Sequence, residues 1–260
     1  MAEVEDTAIT VGEGAAARTI AVARRPGAAP GLFWLGGFRS DMAGTKALAA
    51  DAFGAARGLE VTRFDYSGHG RSRGAFDDGT ITRWLEESLA VFALTHGAQV
   101  VIGSSMGGWL ALLLNRAVRL RYGLGRIRTL ILIAPAVDMT EALMLGGFTK
   151  KELKAYKAQG FVDQPSEYGP EPYRINRALI DDGRNHLLFG SAIDAGVPVT
   201  IIQGAKDRDV PKEHAHRLME HLITDPVTFT LIPDGEHRLS RPEDLAVIEK
   251  AIARAVELRG

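Results

Sequence analysis

The stretch Val100-Val101-Ile102-Gly103-Ser104-Ser105-Met106-Gly107-Gly108 constrains this chain more than any other. Gln99 to Ile102 is a short, mostly apolar run of strand type. Met106 to Ala117 (MGGWLALLLNRA) is apolar nearly all round, as a helix buried against a sheet must be. Between them lies Gly-x-Ser-x-Gly. A strand that turns sharply into a helix at such a serine holds it in a strained conformation with its hydroxyl exposed above the sheet. Residues two positions away on either side crowd the turn, so Gly103 and Gly107 fit where larger side chains would clash. Ser105 is therefore the candidate nucleophile. Ser104 lacks glycine at both flanking positions.

The rest of the chain keeps the same alternation. Strands are expected at Thr7–Val11, Thr19–Arg24, Leu32–Leu35, Val61–Phe64, Gln99–Ile102, Thr129–Ala134, Val199–Gln203 and Thr228–Ile232. Helices are expected at Thr45–Arg57, Thr82–His96, Met106–Ala117, Pro211–Ile223 and Pro242–Leu258, the last opening on Pro242, Glu243 and Asp244. The fold class is thus α/β: about eight strands in a mostly parallel sheet with helices on both faces. All 260 residues form one domain. Val137 to Ala195 breaks the rhythm with mixed charge and prolines, and reads as a small cap inserted over the site.

In such a sheet, ligands bind at the carboxyl ends of the strands. An elbow serine needs a base there, and the base needs an orienting acid, following in the order Ser, acid, His. Asp207 stands in the loop after Val199–Gln203, with Asp209 as its competitor. His237 stands in the loop after Thr228–Ile232. The developing oxyanion needs backbone N–H donors. Met106 supplies one, and Phe38, in the Gly36-Gly37-Phe38-Arg39-Ser40 loop, is the candidate for the other.

Other residues carry weaker signals. Arg39, Trp109 and His186 are candidate substrate contacts. Arg39 would meet an anionic or polar leaving group, or else pair with Asp41. His69 precedes the elbow and is out of order for a base, which favours a structural loop role. His214 and His216 do not face one another on a helix, so no metal site is expected. Arg116, Arg119, Arg121, Arg126 and Arg128 read as a solvated helix end. Leu143, Met144, Leu145, Phe148 and Phe161 would either line an apolar acyl pocket or pack the cap onto the core.

Composition excludes several classes. Lys+Arg total 31 against 32 for Asp+Glu, so neither nucleic acid nor an anionic membrane is the expected partner. With no cysteine, a thiol nucleophile, disulfides and Cys-bound metals are excluded. No cofactor is required. The start, MAEVEDTAIT, has no apolar core of a signal peptide and is too acidic for a transit peptide, and no apolar run reaches membrane-spanning length. The expectation is a cytoplasmic protein without membrane insertion; nothing here fixes its oligomeric state.

Taken together, the segments resemble the α/β-hydrolase subgroup that contains the mitochondrial palmitoyl-protein thioesterase, also described as an acyl-glucuronide esterase. The resemblance is carried by Gly37-Phe38, Met42-Ala43-Gly44-Thr45-Lys46-Ala47-Leu48, Arg63-Phe64-Asp65-Tyr66-Ser67-Gly68, Gly103-Ser104-Ser105-Met106-Gly107-Gly108-Trp109-Leu110, Gly204-x-Lys206-Asp207-x-x-Val210-Pro211 and His237-Arg238. It implies the same triad, Ser105, Asp207 and His237, a compact cap, and small-molecule acyl esters or thioesters, or an acylated protein, as substrates. It is looser across Val137–Leu179, where the cap shapes the substrate site. The absence of a transit peptide points to a bacterial relative. The competing readings are a lyase or perhydrolase on the same scaffold, or a non-catalytic binding module.

Overall fold

The computed structural model describes residues 2–165 and 172–258, so residues 166–171 of the expected cap lie outside the described residues. The strands are β1 (Glu5–Val11), β2 (Arg18–Arg25), β3 (Ala28–Leu35), β4 (Leu59–Phe64), β5 (Gln99–Ser104), β6 (Ile127–Ile133), β7 (Phe161–Gln164), β8 (Tyr173–Asn176), β9 (Val199–Gly204) and β10 (Val227–Ile232). The α-helices are α1 (Thr45–Arg57), α2 (Ile81–Phe92), α3 (Met106–Tyr122), α4 (Lys150–Gln159), α5 (Arg177–Gly183), α6 (Lys212–His221) and α7 (Pro242–Glu257).

Eight strands form one sheet in the order β1-β2-β4-β3-β5-β6-β9-β10. β2 runs antiparallel to both its neighbours, and every other pairing in this sheet is parallel. The central strands are buried on both faces, which is why they read as continuous apolar runs rather than as alternating ones. In β5, Val101 joins the core beneath α2, α3 and α6, with Phe33, Trp84, Leu113 and Leu218. Its neighbours Val100 and Ile102 join the opposite core, with Ala50 and Phe53 of α1 and Ile248 and Ile252 of α7. A two-layer core around one sheet puts the carboxyl ends of β3, β5, β9 and β10 along one edge.

Boundaries moved where local rules were outvoted by packing. α3 runs on through the arginine-rich turn to Tyr122 before Gly123 stops it, because Val118 is still buried on the sheet. α2 ends at Phe92, after which Leu94 and Thr95 close turns on Val91 and Phe92.

The segment between β6 and β9 is more ordered than mixed composition suggested. It holds a π-helical turn at Thr140–Leu145, α4 with a Thr149/Glu152 capping box, the antiparallel hairpin β7–β8, and α5. A small core of Tyr156, Val162, Ile175 and Ile180 binds these pieces, with Met144, Leu145 and Phe148 against it. The hairpin was not anticipated, since its strands are only four residues each.

Candidate active site

Ser105 occupies the turn between β5 and α3 at φ 55 and ψ −117. A non-glycine residue there stores about 1–3 kcal/mol of strain, so the surroundings must hold it. They do so through backbone bonds. Ser105 N–H donates to Ile133 O (2.9 Å), and its carbonyl accepts from Gly108 (2.9 Å) and Ala136 (3.0 Å). The flanking glycines are sterically required. A Cβ on Gly103 would lie 2.2 Å from Gly107 O, and one on Gly107 would lie 2.1 Å from Leu35 O.

Three distant residues meet at this turn. His237 Nε2 lies 3.0 Å from Ser105 Oγ, and His237 Nδ1 lies 2.8 Å from Asp207 Oδ2. The Asp207 side chain is fully buried. Its Oδ1 accepts from the Asp209 (3.0 Å) and Val210 (2.8 Å) amides, and its Oδ2 also accepts from Gln203 Nε2 (3.1 Å). Asp209 therefore helps to hold the acid through its own N–H, and it is Asp207 that faces the imidazole. Gln203 is a neighbour of the candidate acid that the sequence pattern does not single out. Its one signal was a polar side chain at the end of an otherwise apolar strand.

Met106 is the first residue of α3, so its N–H has no acceptor within the helix. Gly37 comes close to the serine as well, since a Cβ there would lie 3.3 Å from Ser105 Cβ. The loop that follows Gly37 turns back on itself, with Ser40 N–H bonded to Gly37 O (3.1 Å) and Arg39 at φ 59. His69 fixes that bend. Its Nε2 accepts from the Arg39 amide (3.1 Å), and its Nδ1 lies 3.2 Å from Ser67 O, which makes Nδ1 the protonated nitrogen. Burial pulls the His69 imidazole down to about 4, so the neutral acceptor form persists in mildly acid solution. Asp65 braces the same loop from the other side through the Met42 (2.6 Å) and Arg71 (2.7 Å) amides.

The expected substrate contacts fare differently. Arg39 is exposed, and its guanidinium lies over the rings of Phe76 (5.4 Å) and Tyr173 (5.9 Å) and donates to Pro172 O (3.3 Å). Asp41 turns back on the Ala43 amide instead (2.8 Å). Trp109 is fully buried, with Nε1 bonded to His186 O (3.2 Å), so it pins the chain after α5 to α3 and offers no face to a substrate. That corrects its expected role: a tryptophan four residues past the elbow serine faces the core. The His186 imidazole is half-buried and engaged with Thr82 Oγ1 (2.7 Å). His214 is bonded to Val137 O (2.8 Å), and Arg119 and Arg126 are tied to Asp194 and Thr95.

The inserted segment touches the loop next to the serine. Phe38 packs against Tyr173, Phe76 and Trp84 at centroid distances of 6.1, 4.8 and 6.1 Å. Outside this aromatic group lie two depressions. One, of about 220 Å³, is bordered by Arg39, Asp41, His69 and Phe76. The other, of about 390 Å³, is bordered by Arg39, Asp77, Asp163 and Arg174.

Residues 26–248 match the model of the alpha/beta hydrolase family. Over 233 residues the chain is 32% identical to the Bos taurus protein "Palmitoyl-protein thioesterase ABHD10, mitochondrial", covering 88% of this chain and 74% of that one. A crystal structure from Agrobacterium vitis S4, of a protein whose assignment as a hydrolase is provisional, superposes with a TM-score of 0.94 at 47% identity. That match covers 98% of this chain and 99% of the other. Alpha/beta hydrolase domain-containing protein 10 from mouse superposes with a TM-score of 0.84 at 28% identity, covering 96% of this chain and 98% of that one. Among the described residues no helix is long and apolar enough to cross a membrane.

Proposed function

The chain belongs to the alpha/beta hydrolase family, and from that premise we propose that it cleaves carboxylic esters or thioesters through an acyl-enzyme on Ser105. The observation that carries this reading is the unbroken relay Ser105–His237–Asp207, at 3.0 and 2.8 Å.

Ser105 Oγ attacks the acyl carbon while His237 Nε2 takes its proton. Asp207 holds the Nδ1–H tautomer and stabilises the imidazolium. Its remaining oxygen positions are filled by Gln203 and two amides, so the carboxylate stays fixed as charge develops. The tetrahedral oxyanion is met by the Met106 N–H and by the Phe38 N–H. His237 then protonates the departing alcohol or thiol as the C–O or C–S bond breaks. A water, deprotonated by the same imidazole, releases the acid and restores Ser105.

The inserted segment acts as the cap and covers the leaving-group side, where Arg39 and Tyr173 meet beside Phe38. Acyl thioesters, free or on a protein, and activated carboxyl esters are the substrate classes this reading favours; the thioesterase relative supports it. Intact mass after fluorophosphonate treatment tests the nucleophile. One adduct on wild type and none on Ser105→Ala is the expected result, together with loss of ester and thioester turnover in the variant. Turnover that survives Ser105→Ala refutes the mechanism.

A further inference from the structure

Lys46 is the second residue of α1, near the helix's positive end, where a cation is disfavoured. It is nevertheless half-buried. Its Nζ donates to the carbonyl of Arg238, the residue directly after His237, across 192 positions of sequence. The charges acting on it are Asp207 and Asp244, which favour the ammonium, and Arg238, which opposes it. Burial pulls the ammonium down to about 8, which leaves it protonated at neutral pH.

The loop carrying His237 is held at two points. On its upstream side, Gly235 O accepts from the Lys206 amide (2.9 Å). On its downstream side, Leu239 sits at φ 43, a left-handed conformation that a leucine does not adopt unaided. The peptide between His237 and that strained leucine is the one Lys46 grips. α1 in turn begins immediately after the loop carrying Phe38, whose bend His69 and Asp65 fix.

We propose that Lys46 is a positioning residue that ties the His237 loop to the helix following the Phe38 loop, and so sets the 3.0 Å approach of His237 Nε2 to Ser105 Oγ. This rests on the acyl-enzyme reading above. In this role Lys46 acts through the His237 loop and not on substrate, so its loss should lower kcat and leave KM unchanged.

The test compares wild type, Lys46→Met, Lys46→Arg and Ser105→Ala in p-nitrophenyl ester and acyl thioester turnover. The downfield NMR resonance of the proton between His237 and Asp207 is followed in parallel, with thermal unfolding as a check on folding. Lys46→Met removes the one long-range donor to Arg238 O at nearly constant volume, leaving only the local bond from Ser240 Oγ (2.9 Å), and kcat should fall by about 10- to 100-fold, as for a base displaced by a fraction of an ångström. The downfield proton should exchange faster and broaden, and Lys46→Arg should restore both readouts. A Lys46→Met variant that matches wild type in kcat and in the resonance overturns the proposal, as does a Lys46→Arg variant impaired as fully as Lys46→Met. Wild type that turns over neither p-nitrophenyl esters nor acyl thioesters defeats the acyl-enzyme reading instead, and the resonance alone then decides the role of Lys46.

Discussion

Lowering the pH tests the role of His69. The imidazole is buried, neutral, and accepts the Arg39 amide. Its ordinary value of 6.5 is pulled down to about 4 in the folded chain, chiefly by burial, with Arg39 adding repulsion. In the unfolded chain it takes up a proton near 6.5. Between those two values the unfolded state binds the extra proton, so stability is fully present above 6.5 and is lost as pH falls toward 4. Moving one histidine over that interval is worth about 3 kcal/mol. The perturbation is His69→Gln, which keeps an acceptor for Arg39 N–H but cannot be protonated. Urea unfolding of both proteins between pH 7.5 and 4 isolates this one group, because the other shifted groups cancel in the difference. Wild type should lose about 3 kcal/mol relative to His69→Gln over that range. Parallel curves would falsify the buried neutral imidazole. A His69→Ala variant, which leaves the Arg39 N–H without its acceptor, should lose about 1–3 kcal/mol even at pH 7.5.

Three further outcomes follow from the geometry. Asp207→Asn should keep the fold and lower kcat by about 10⁴-fold, because an amide at that position no longer enforces the Nδ1–H tautomer; a fall of under tenfold in steady-state turnover would contradict the orienting role. Gly107→Ala places a Cβ 2.1 Å from a backbone oxygen, so it should cost more than about 3 kcal/mol or prevent soluble expression; a melting temperature equal to wild type would refute the steric argument. Trp109→Phe removes the bond to His186 O and leaves a cavity where the larger ring packed, so it should cost about 2–4 kcal/mol in urea with KM unchanged; a raised KM would return this ring to the substrate site.

Much of the site was legible because its chemistry imposes local sterics. Gly103 and Gly107 appear in sequence for the same reason that their absent Cβ atoms matter in space. The chain order of Ser105, Asp207 and His237 could be read because each follows a strand of one parallel sheet, and such strands end on one edge. The choice between Asp207 and Asp209 was open, since both lie in one loop; only the direction of the amides around the carboxylate decides it. His69 was read as a structural loop residue, which its bonds at Arg39 and Ser67 bear out, but its partners were not legible, nor was the support given by Gln203 or that proposed for Lys46. Each acts through a contact with a residue far along the chain or through backbone atoms, and no local pattern records that. Trp109 was misplaced for the converse reason: sitting near the elbow in sequence says nothing about which face of α3 a side chain occupies. In the inserted segment, strands of four residues leave a weak periodic signal, so the β7–β8 hairpin escaped notice.

Asp138, at φ 55 just past β6, accepts the amides of Leu188 (2.8 Å) and Phe189 (2.9 Å), which lie fifty residues downstream. One carboxylate thus staples together the two ends of the insertion before the chain resumes at β9. The insertion is fastened to the body elsewhere too, by the Trp109 indole N–H on His186 O (3.2 Å), the Thr82 amide on Asp182 Oδ2 (2.8 Å) and the Phe38–Tyr173 ring contact. Ser105, Asp207 and His237 are all furnished by strand ends outside it, so those residues of the insertion that make none of these contacts can change without touching the relay. A chimera joined at Asp138 and Phe189 inherits the staple, and its seam closes only where the new insertion also supplies partners for Trp109, Thr82 and Phe38.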